Sequence, residues 1–290
     1  MKASLAPKVV ALGGGHGLAT TLEALRLYAG HITAVVSTAD NGGSSGKLRK
    51  ILSMPAPGDI RRCLVALSDA SSLWKETFEY RFETGELEGH ALGNLLIAGM
   101  TCVTQDFIVA LKEVSQLLHT AGDVFPATIT PVSLKATLAE GFVEGQIAIA
   151  GASNIKNIFL VPADPKAPKE VIQAIQQADQ VVIGPGSLYT SILATTIVPQ
   201  ISQALKETKA HIIYVCNLRP QSPETEGYDV ASHVSALLNH GIEPDVVLCD
   251  SKALSFGEVS VPLVHNNIAR ENAEGHDVVG LAKVLQDLVK

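Results

Sequence analysis

An apolar segment that runs directly into a cluster of glycines, and from there into a helix, is the feature that most constrains this chain. Residues 8–12 form the apolar segment, and 18–28 carry apolar side chains at helical spacing. Glycine has no Cβ atom, so it permits positive φ and close ligand approach, while the helix start offers unpaired N–H groups and a positive dipole end. We predict a phosphate-binding turn at the carboxyl end of a strand. Its residues are Gly13, Gly14, Gly15, His16 and Gly17.

Short apolar runs alternate with helical patterns along most of the chain. The runs are nearly continuous and rich in β-branched residues, as is typical of strands buried on both faces of a parallel sheet. This alternation predicts an α/β fold with a doubly wound, mostly parallel, Rossmann-like sheet and helices on both faces. Strands are predicted at 8–12, 32–37, 179–184, 211–217 and 245–249, and helices at 18–28, 59–67, 106–118, 169–177, 230–239 and 278–289.

The segment 124–151 interrupts that rhythm. It is rich in Thr, Val and Gly, and residues 128–130 and 145–149 alternate between polar and apolar side chains as antiparallel strands do. We interpret the segment as a small β subdomain inserted into a single nucleotide-binding α/β domain that spans residues 1–290.

Composition and charge exclude several classes of protein. Hydrophobic residues make up 47% of the 290 residues and charged residues 18%, which is typical of a packed globular protein. The net charge of −7 provides no general attraction to nucleic acid. The sequence lacks a secretory apolar region and any run of about 20 apolar residues, which a membrane span needs. We therefore expect a cytoplasmic protein with no nucleic-acid or membrane partner.

A second loop of small residues follows the second predicted strand and is expected at the same edge of the sheet. Asp40 occupies the place at which a dinucleotide fold keeps its ribose-binding carboxylate, and the Gly/Ser run after it can donate N–H and hydroxyl groups to a phosphate or sugar. A flexible surface loop is the alternative. The predicted ligand contacts are Asp40, Asn41, Gly42, Gly43, Ser44 and Ser45.

Two polar turns further along add candidates. Asp59 is placed to cap a helix, because an aspartate side chain accepts from first-turn N–H groups. Arg61 and Arg62 run against the helix dipole, so we expect at least one of them to answer an anionic ligand or a carboxylate. His90 and Asn94 lie one helical turn apart and could face together, although His90 could equally be a helix-start residue.

The strand–turn–helix arrangement recurs late in the chain. Residues 179–184 lead into a turn and a helix start, which predicts a second anion-accepting nest and hence an extended ligand. Asn217, at the end of the next predicted strand, could read a base or a sugar by hydrogen bonding. The residues of the predicted nest are Gly184, Pro185, Gly186, Ser187, Tyr189 and Thr190.

Common fingerprints do not match. The G-x-G-x-x-G pattern fails because Leu18 and Thr20 occupy the required glycine positions, and Walker A fails because Leu48 follows the Gly-Lys pair. A nucleotide is implied, but not NAD specifically. His233 and His240 share a helix face, for which packing is favoured over metal binding, so no metal site is predicted. The four cysteines are scattered, which favours neither disulfides nor a thiolate zinc site.

Five short motifs occur in a fixed order. They are Gly-Gly-Gly-x-Gly-Leu at 13–18, Ala-Asp-x-Gly-Gly-Ser-Ser-Gly-x-Leu-Arg at 39–49, Pro-Gly-Asp-Ile-Arg at 57–61, Gly-His-x-Leu-Gly-Asn at 89–94 and Gly-Pro-Gly-Ser-Leu-Tyr-Thr-Ser at 184–191. Together they resemble the gluconeogenesis factor (YvcK-type) family. The similarity covers nearly the whole chain, through 215–217 and 224–225, and is far more specific than a single glycine loop.

The resemblance implies a cytoplasmic protein needed for cell shape and wall synthesis during growth on gluconeogenic carbon sources, and one that binds UDP-sugars such as UDP-N-acetylglucosamine. A protein partner in cell-wall regulation and a homodimer are further expectations. A sister branch, 2-phospho-L-lactate transferase, moves a phospholactyl group from a guanosine diphosphate donor to a deazaflavin with magnesium. A transferase is therefore the alternative function, and Mg²⁺ enters only under that alternative.

This chain departs from the family pattern at three places. The family usually has Thr in place of His16 and a second aspartate in place of Asn41, so the chain has lost a carboxylate near the expected phosphates. Loss of a carboxylate weakens a magnesium site, because hard divalent cations prefer charged oxygen ligands. Arg219 and Pro220 also replace residues of a Met-Thr-Gln run. The lost carboxylate favours a regulatory binding protein over an enzyme, whereas the change at 219–220 concerns the contacts that its own loop makes.

Overall fold

A computed structural model describes residues 6–271 and 274–289, and it contains one large parallel sheet and one small antiparallel sheet. The strands β1 to β10 are Lys8–Gly13, His31–Val36, Asp123–Pro126, Ser133–Thr137, Phe142–Glu144, Asn157–Val161, Gln180–Ile183, His211–Val215, Val246–Asp250 and Leu263–Asn266. The helices α1 to α12 are Gly15–Leu25, Gly43–Leu52, Gly58–Leu67, Ser72–Glu79, Leu92–Thr104, Phe107–Leu117, Gln146–Ala150, Lys169–Gln177, Ala194–Thr196, Pro199–Glu207, Val230–Asn239 and Val278–Asp287. A π-helical segment, Leu188–Leu193, runs directly into α9.

The large sheet has the strand order β10-β9-β8-β7-β1-β2-β3, and each neighbouring pair is parallel. From β1 the chain builds outward through β2 to β3, and then returns to the other side of β1 to build β7 through β10. The order therefore reverses between β1 and β7. In doubly wound sheets, ligands bind outside the carboxyl ends of the strands at such a reversal.

The central strands are buried on both faces, and their side chains alternate between two cores. Val9 and Ala11 of β1 pack with α1, α3 and α12 on one face, whereas Val10 and Leu12 pack with α8 and α10 on the other. All four side chains are at most 2% exposed. Continuous apolar sequence is what such a position demands, because neither face of the strand meets water. The predicted doubly wound fold is confirmed.

The inserted subdomain exists, but its boundaries differ from the predicted 124–151. Asp123–Pro126 joins the edge of the large sheet beside β2, and the small sheet, of order β5-β4-β6, runs from Ser133 to Val161. The strand predicted at 145–149 is wrong, because Gln146–Ala150 is a short helix. Alternation over five residues does not separate a half-buried strand from one and a half helical turns.

No helix within the described residues is long and apolar enough to cross a membrane.

Candidate functional site

A cleft of about 360 Å³ opens at the carboxyl edge of the sheet, where the chain order reverses. Its walls come from the turns after β1, β2 and β7, from the inserted helix α7 and from the loop after β8. Gly15, Asp40, Asp59, Ser187 and Glu224 contribute to its lining. A larger groove of about 700 Å³ lies at the opposite edge, near the amino ends of β7 to β9, and none of the predicted ligand residues lines it.

The two glycine turns meet at this edge. A Cβ atom on Gly17 would lie 2.3 Å from the carbonyl oxygen of Pro185, and one on Gly186 would lie 3.2 Å from the carbonyl oxygen of Gly14. Hydroxyl groups join the turns further: Thr21 Oγ1 donates to the carbonyl oxygen of Gly184 at 3.1 Å. The glycines therefore allow the backbones of the two turns to approach each other closely. Turns that are more than 160 residues apart in sequence thus form one surface.

Gly15 is the glycine that leaves open space. It has a φ of +66°, and no atom lies within 4 Å of the position a Cβ would occupy. It begins α1, whose N-cap Gly14 makes no side-chain capping bond. First-turn N–H groups have no intrahelical partners, so this turn presents donors at the cleft, of which the N–H of Gly15 interacts with the carboxylate of Asp59. His16 is exposed in the same turn.

Asp59 and Arg62 form an ion pair in the cleft wall. Arg62 Nη1 lies 2.7 Å from Asp59 Oδ1, and both residues line the cleft. Burial raises the pKa of Asp59, whereas Arg62 and the backbone N–H of Gly15 oppose that rise. The expected capping role is not seen: Pro57 is the N-cap of α3, and no side chain caps that helix.

Arg61 points away from the cleft. Its guanidinium is 2% exposed, forms an ion pair with Glu79 and donates to the carbonyl oxygen of Phe78 at 3.2 Å. Both arginines at the start of α3, where the helix dipole disfavours positive charge, thus form ion pairs with carboxylates. Of the two, Arg62 lies in the cleft lining, and Arg61, the predicted ligand contact, does not.

The loop after β2 is organised by Asp40 and Asn41. Asp40 Oδ1 accepts from the N–H of Gly42 at 2.8 Å, which positions the start of α2. Asn41 Oδ1 accepts from the N–H of Ile147 in α7 at 3.2 Å. Asn41 therefore holds the inserted subdomain against this loop. Gly43 has a φ of +45° and open space around it.

Ser44, His90 and Asn94 do come together, but beneath the cleft surface. Ser44 Oγ lies 3.0 Å from His90 Nδ1, and Asn94 Nδ2 donates to Ser44 Oγ at 3.1 Å. All three residues are buried. Ser45 is also buried and packs against Gly58 at the start of α3. This group fixes α2 relative to α5, and none of its members lines the cleft.

The nest predicted after β7 is occupied by a carboxylate of the protein itself. Glu224 Oε1 accepts from the N–H groups of Tyr189 at 2.9 Å and Thr190 at 3.2 Å. The Ser187 hydroxyl donates to Glu224 Oε2. Burial raises the pKa of Glu224, and these three donors oppose the rise. Sequence reasoning did not identify Glu224 as a site residue, since the contact joins positions 35 residues apart.

Asn217 clamps the same turn. Its Oδ1 accepts from the N–H of Gly186 at 3.0 Å, and its Nδ2 donates to the carbonyl oxygen of Gly186 at 2.8 Å. Tyr189 points into the core, where its hydroxyl lies 2.8 Å from that of Tyr228. Of the predicted nest, Ser187 and Thr190 line the cleft, while Pro185 and Gly186 line a small adjoining pocket of about 160 Å³.

That small pocket contains a buried histidine. His276 is 6% exposed, and its Nε2 has no hydrogen-bond partner within the described part of the chain. Burial lowers the pKa of His276 to about 4, against the raising effects of the Cys216 carbonyl and Asp250.

The described residues contain no group of three or more His, Cys, Asp or Glu side chains that could hold a metal ion. His240 Nε2 accepts from the N–H of Ile158 at 3.0 Å, which accounts for that histidine as a structural residue.

Comparison with known proteins assigns the family. The family model described as 2-phospho-L-lactate transferase CofD matches residues 9–284. A protein named gluconeogenesis factor from Halalkalibacterium halodurans is 43% identical over 92% of this chain and 82% of its own length. This chain belongs to the gluconeogenesis factor family. The predicted resemblance is thereby confirmed.

Further relatives agree with this assignment. A gluconeogenesis factor from Bacillus subtilis is 44% identical over 81% of this chain and 75% of its own length. A crystal structure of a UPF0052-family protein from Bacillus halodurans is 38% identical and superposes with a TM-score of 0.91, covering 96% of this chain and 98% of that chain. The fold described above is thus shared with a solved structure over nearly the whole of both chains.

Proposed function

We propose that the cleft binds a nucleotide-sugar of the UDP-N-acetylglucosamine type. The observation that carries this proposal is the meeting of the turns at 13–17 and 184–187 at the reversal of strand order, where doubly wound sheets bind nucleotides. The open space at Gly15 beside the first turn of α1 suits a diphosphate. The protein acts in the cytoplasm in cell shape and wall synthesis during growth on gluconeogenic carbon sources, through a ligand-dependent contact with a partner protein.

A transferase that uses a nucleotide diphosphate donor is the second candidate. The matching family model is that of a transferase, and Asp40 and Asp59 both line the cleft. Two carboxylates beside a diphosphate are suited to a divalent cation or to an acceptor hydroxyl. The exposed Asn41, at a position where a further aspartate beside Asp40 would favour a cation, counts against this candidate.

Isothermal titration calorimetry tests the proposal. We expect UDP-N-acetylglucosamine to bind without magnesium and Gly15→Val to reduce affinity at least tenfold, because the side chain fills the space beside the helix start. Gly141→Val is the matched control: Gly141 also has positive φ, +82°, and open surroundings, but it lies in the β4–β5 turn. Absence of binding to the wild-type protein, or equal affinities for the two variants, would contradict the proposal.

Asp40→Ala separates the two candidates. If the protein only binds the nucleotide-sugar, Asp40→Ala binds it more weakly, and neither the variant nor the wild-type protein releases product. Under the transferase function the wild-type protein releases product from a nucleotide diphosphate donor, and the variant loses that activity while it retains binding.

A further inference from the structure

The cleft contains more negative than positive charge. Within the described residues its lining includes the carboxylates of Asp40, Asp59 and Glu224 and the guanidinium of Arg62, which is paired with Asp59. A diphosphate at the first turn of α1 lies beside that single guanidinium. A further phosphate toward Glu224 would face the oxygens of a carboxylate that already accepts three hydrogen bonds, and oxygens of like charge repel strongly in a partly buried site.

Glu224 also removes the donors that a phosphate would need. The N–H groups of Tyr189 and Thr190 and the hydroxyl of Ser187 all point to its carboxylate. Glu224 is 3% exposed, so it is held in this position by its surroundings and is not a freely moving surface side chain. The Glu224 carboxylate therefore already occupies the anion-binding position at the helix start after β7.

A carboxylate in this position can still accept hydrogen bonds from a ligand. It has about four lone-pair sites, of which the three donors use three. Gln221 and Ser222 of the same loop line the cleft beside it and provide an amide and a hydroxyl. An acceptor flanked by such groups suits the hydroxyls of a sugar.

We propose that Glu224 determines ligand specificity: it fills the helix start after β7 and thereby directs that end of the cleft to an uncharged, hydroxyl-bearing group instead of a further phosphate. This inference rests on the proposed function and adds to it the residue that selects a nucleotide diphosphate sugar over a nucleoside triphosphate.

Competing ligands test this specificity. Affinities for UDP-N-acetylglucosamine and UTP are measured by calorimetry, without divalent cations, for the wild-type protein, Glu224→Gln and Glu226→Gln. Glutamine keeps the shape of Glu224 and removes its charge, so we expect the preference for UDP-N-acetylglucosamine over UTP to fall about tenfold, or about 1.4 kcal/mol. Glu226 is exposed two residues away in the same loop, and its replacement should leave the preference unchanged.

An unchanged preference in Glu224→Gln overturns the role of Glu224 and leaves the proposed function standing. If the wild-type protein does not bind UDP-N-acetylglucosamine, both fail.

Chemical rescue tests the nest directly, with no nucleotide present. Glu224→Ala should lower the melting temperature, and formate should restore part of the loss, because formate offers a carboxylate to the same three donors. Chloride at equal ionic strength should not restore the melting temperature of Glu224→Ala. Glu226→Ala should keep the wild-type melting temperature and should not respond to formate. If formate and chloride affect Glu224→Ala alike, the nest does not bind a carboxylate and the inference is wrong.

Discussion

The contact between the two glycine turns can be tested by adding a single methyl group. Gly17 lies in the first turn of α1, and a Cβ there would be 2.3 Å from the carbonyl oxygen of Pro185 and 2.7 Å from its carbonyl carbon. Ordinary van der Waals contact begins near 3.4 Å, so Gly17→Ala must move one turn relative to the other by about 1 Å. Both atoms belong to the backbone, and no side-chain rotation relieves the overlap.

The expected loss follows from three contributions. Alanine favours the helix over glycine by about 1 kcal/mol. Overpacking against backbone costs about 1–3 kcal/mol, and separation of the turns weakens the hydrogen bond from Thr21 to Gly184, worth about 1 kcal/mol. We expect Gly17→Ala to reduce the free energy of unfolding by about 2 kcal/mol.

Gly99→Ala is the matched control. Gly99 lies within α5, and nothing lies within 4 Å of the position of its Cβ, so alanine should stabilise the protein by up to about 1 kcal/mol. Urea denaturation, followed by circular dichroism, measures both variants at pH 7.5. If Gly17→Ala is as stable as Gly99→Ala, the two turns are not in contact and the cleft described here does not form.

Two further predictions concern charge. Arg62→Leu leaves the Asp59 carboxylate unpaired and should reduce the free energy of unfolding by about 2 kcal/mol at pH 7. The loss should shrink as the pH falls, because Asp59 then takes up a proton. Denaturation of the variant and the wild-type protein at pH 7 and pH 5 measures both values. Burial lowers the pKa of His276 to about 4, against about 6.5 in the unfolded chain. Between these two values His276 is neutral in the folded protein and protonated in the unfolded chain. The free energy of unfolding is therefore full above pH 6.5 and falls toward pH 4. At pH 5 the lost free energy of unfolding amounts to about 2 kcal/mol. His276→Asn should therefore lose less stability between pH 7.5 and pH 5 than the wild-type protein or the exposed-site variant His16→Asn. Equal losses in all three proteins would contradict the lowered pKa of His276.

The sequence was sufficient to predict the large sheet because burial on both faces leaves a direct mark on composition. Strands β1, β2, β7, β8 and β9 lie within about two residues of their predicted positions. Two edge strands, β3 and β10, were not predicted. Each is four residues long. The apolar run of β3, Asp-Val-Phe-Pro, is too short to stand out, and β10 ends in the exposed residues His265 and Asn266.

Helix α2 shows where local propensity misleads. Residues 43–47 are predicted as part of a phosphate-binding or flexible loop, but the structure shows a helix over Gly43–Leu52, although glycine and serine disfavour helix interiors. Tertiary contacts decide its conformation. Leu48 is buried in the core, and Ser44 Oγ lies within hydrogen-bond distance of His90 and Asn94. These contacts involve distant residues and leave no periodic signal in the segment itself.

The same limit applies to the candidate site. The sequence placed Gly15, Asp40, Asp59 and Ser187 at one edge, since strand ends and helix starts are local features, and all four line the cleft. It could not show what each polar group bonds to. Arg61 turns to Glu79 instead of the cleft, a partner 18 residues away that no motif marks.

Asn41 connects the inserted subdomain to the cleft. Asn41 bonds to the N–H of Ile147, and the same short helix presents Gln146 and Ala150 to the cleft. An aspartate in this place could accept the same hydrogen bond but would add a fourth carboxylate near Asp40, Asp59 and Glu224. The asparagine therefore keeps the attachment of α7 without adding a negative charge beside Asp40, which favours the proposed binding of a diphosphate without a divalent cation.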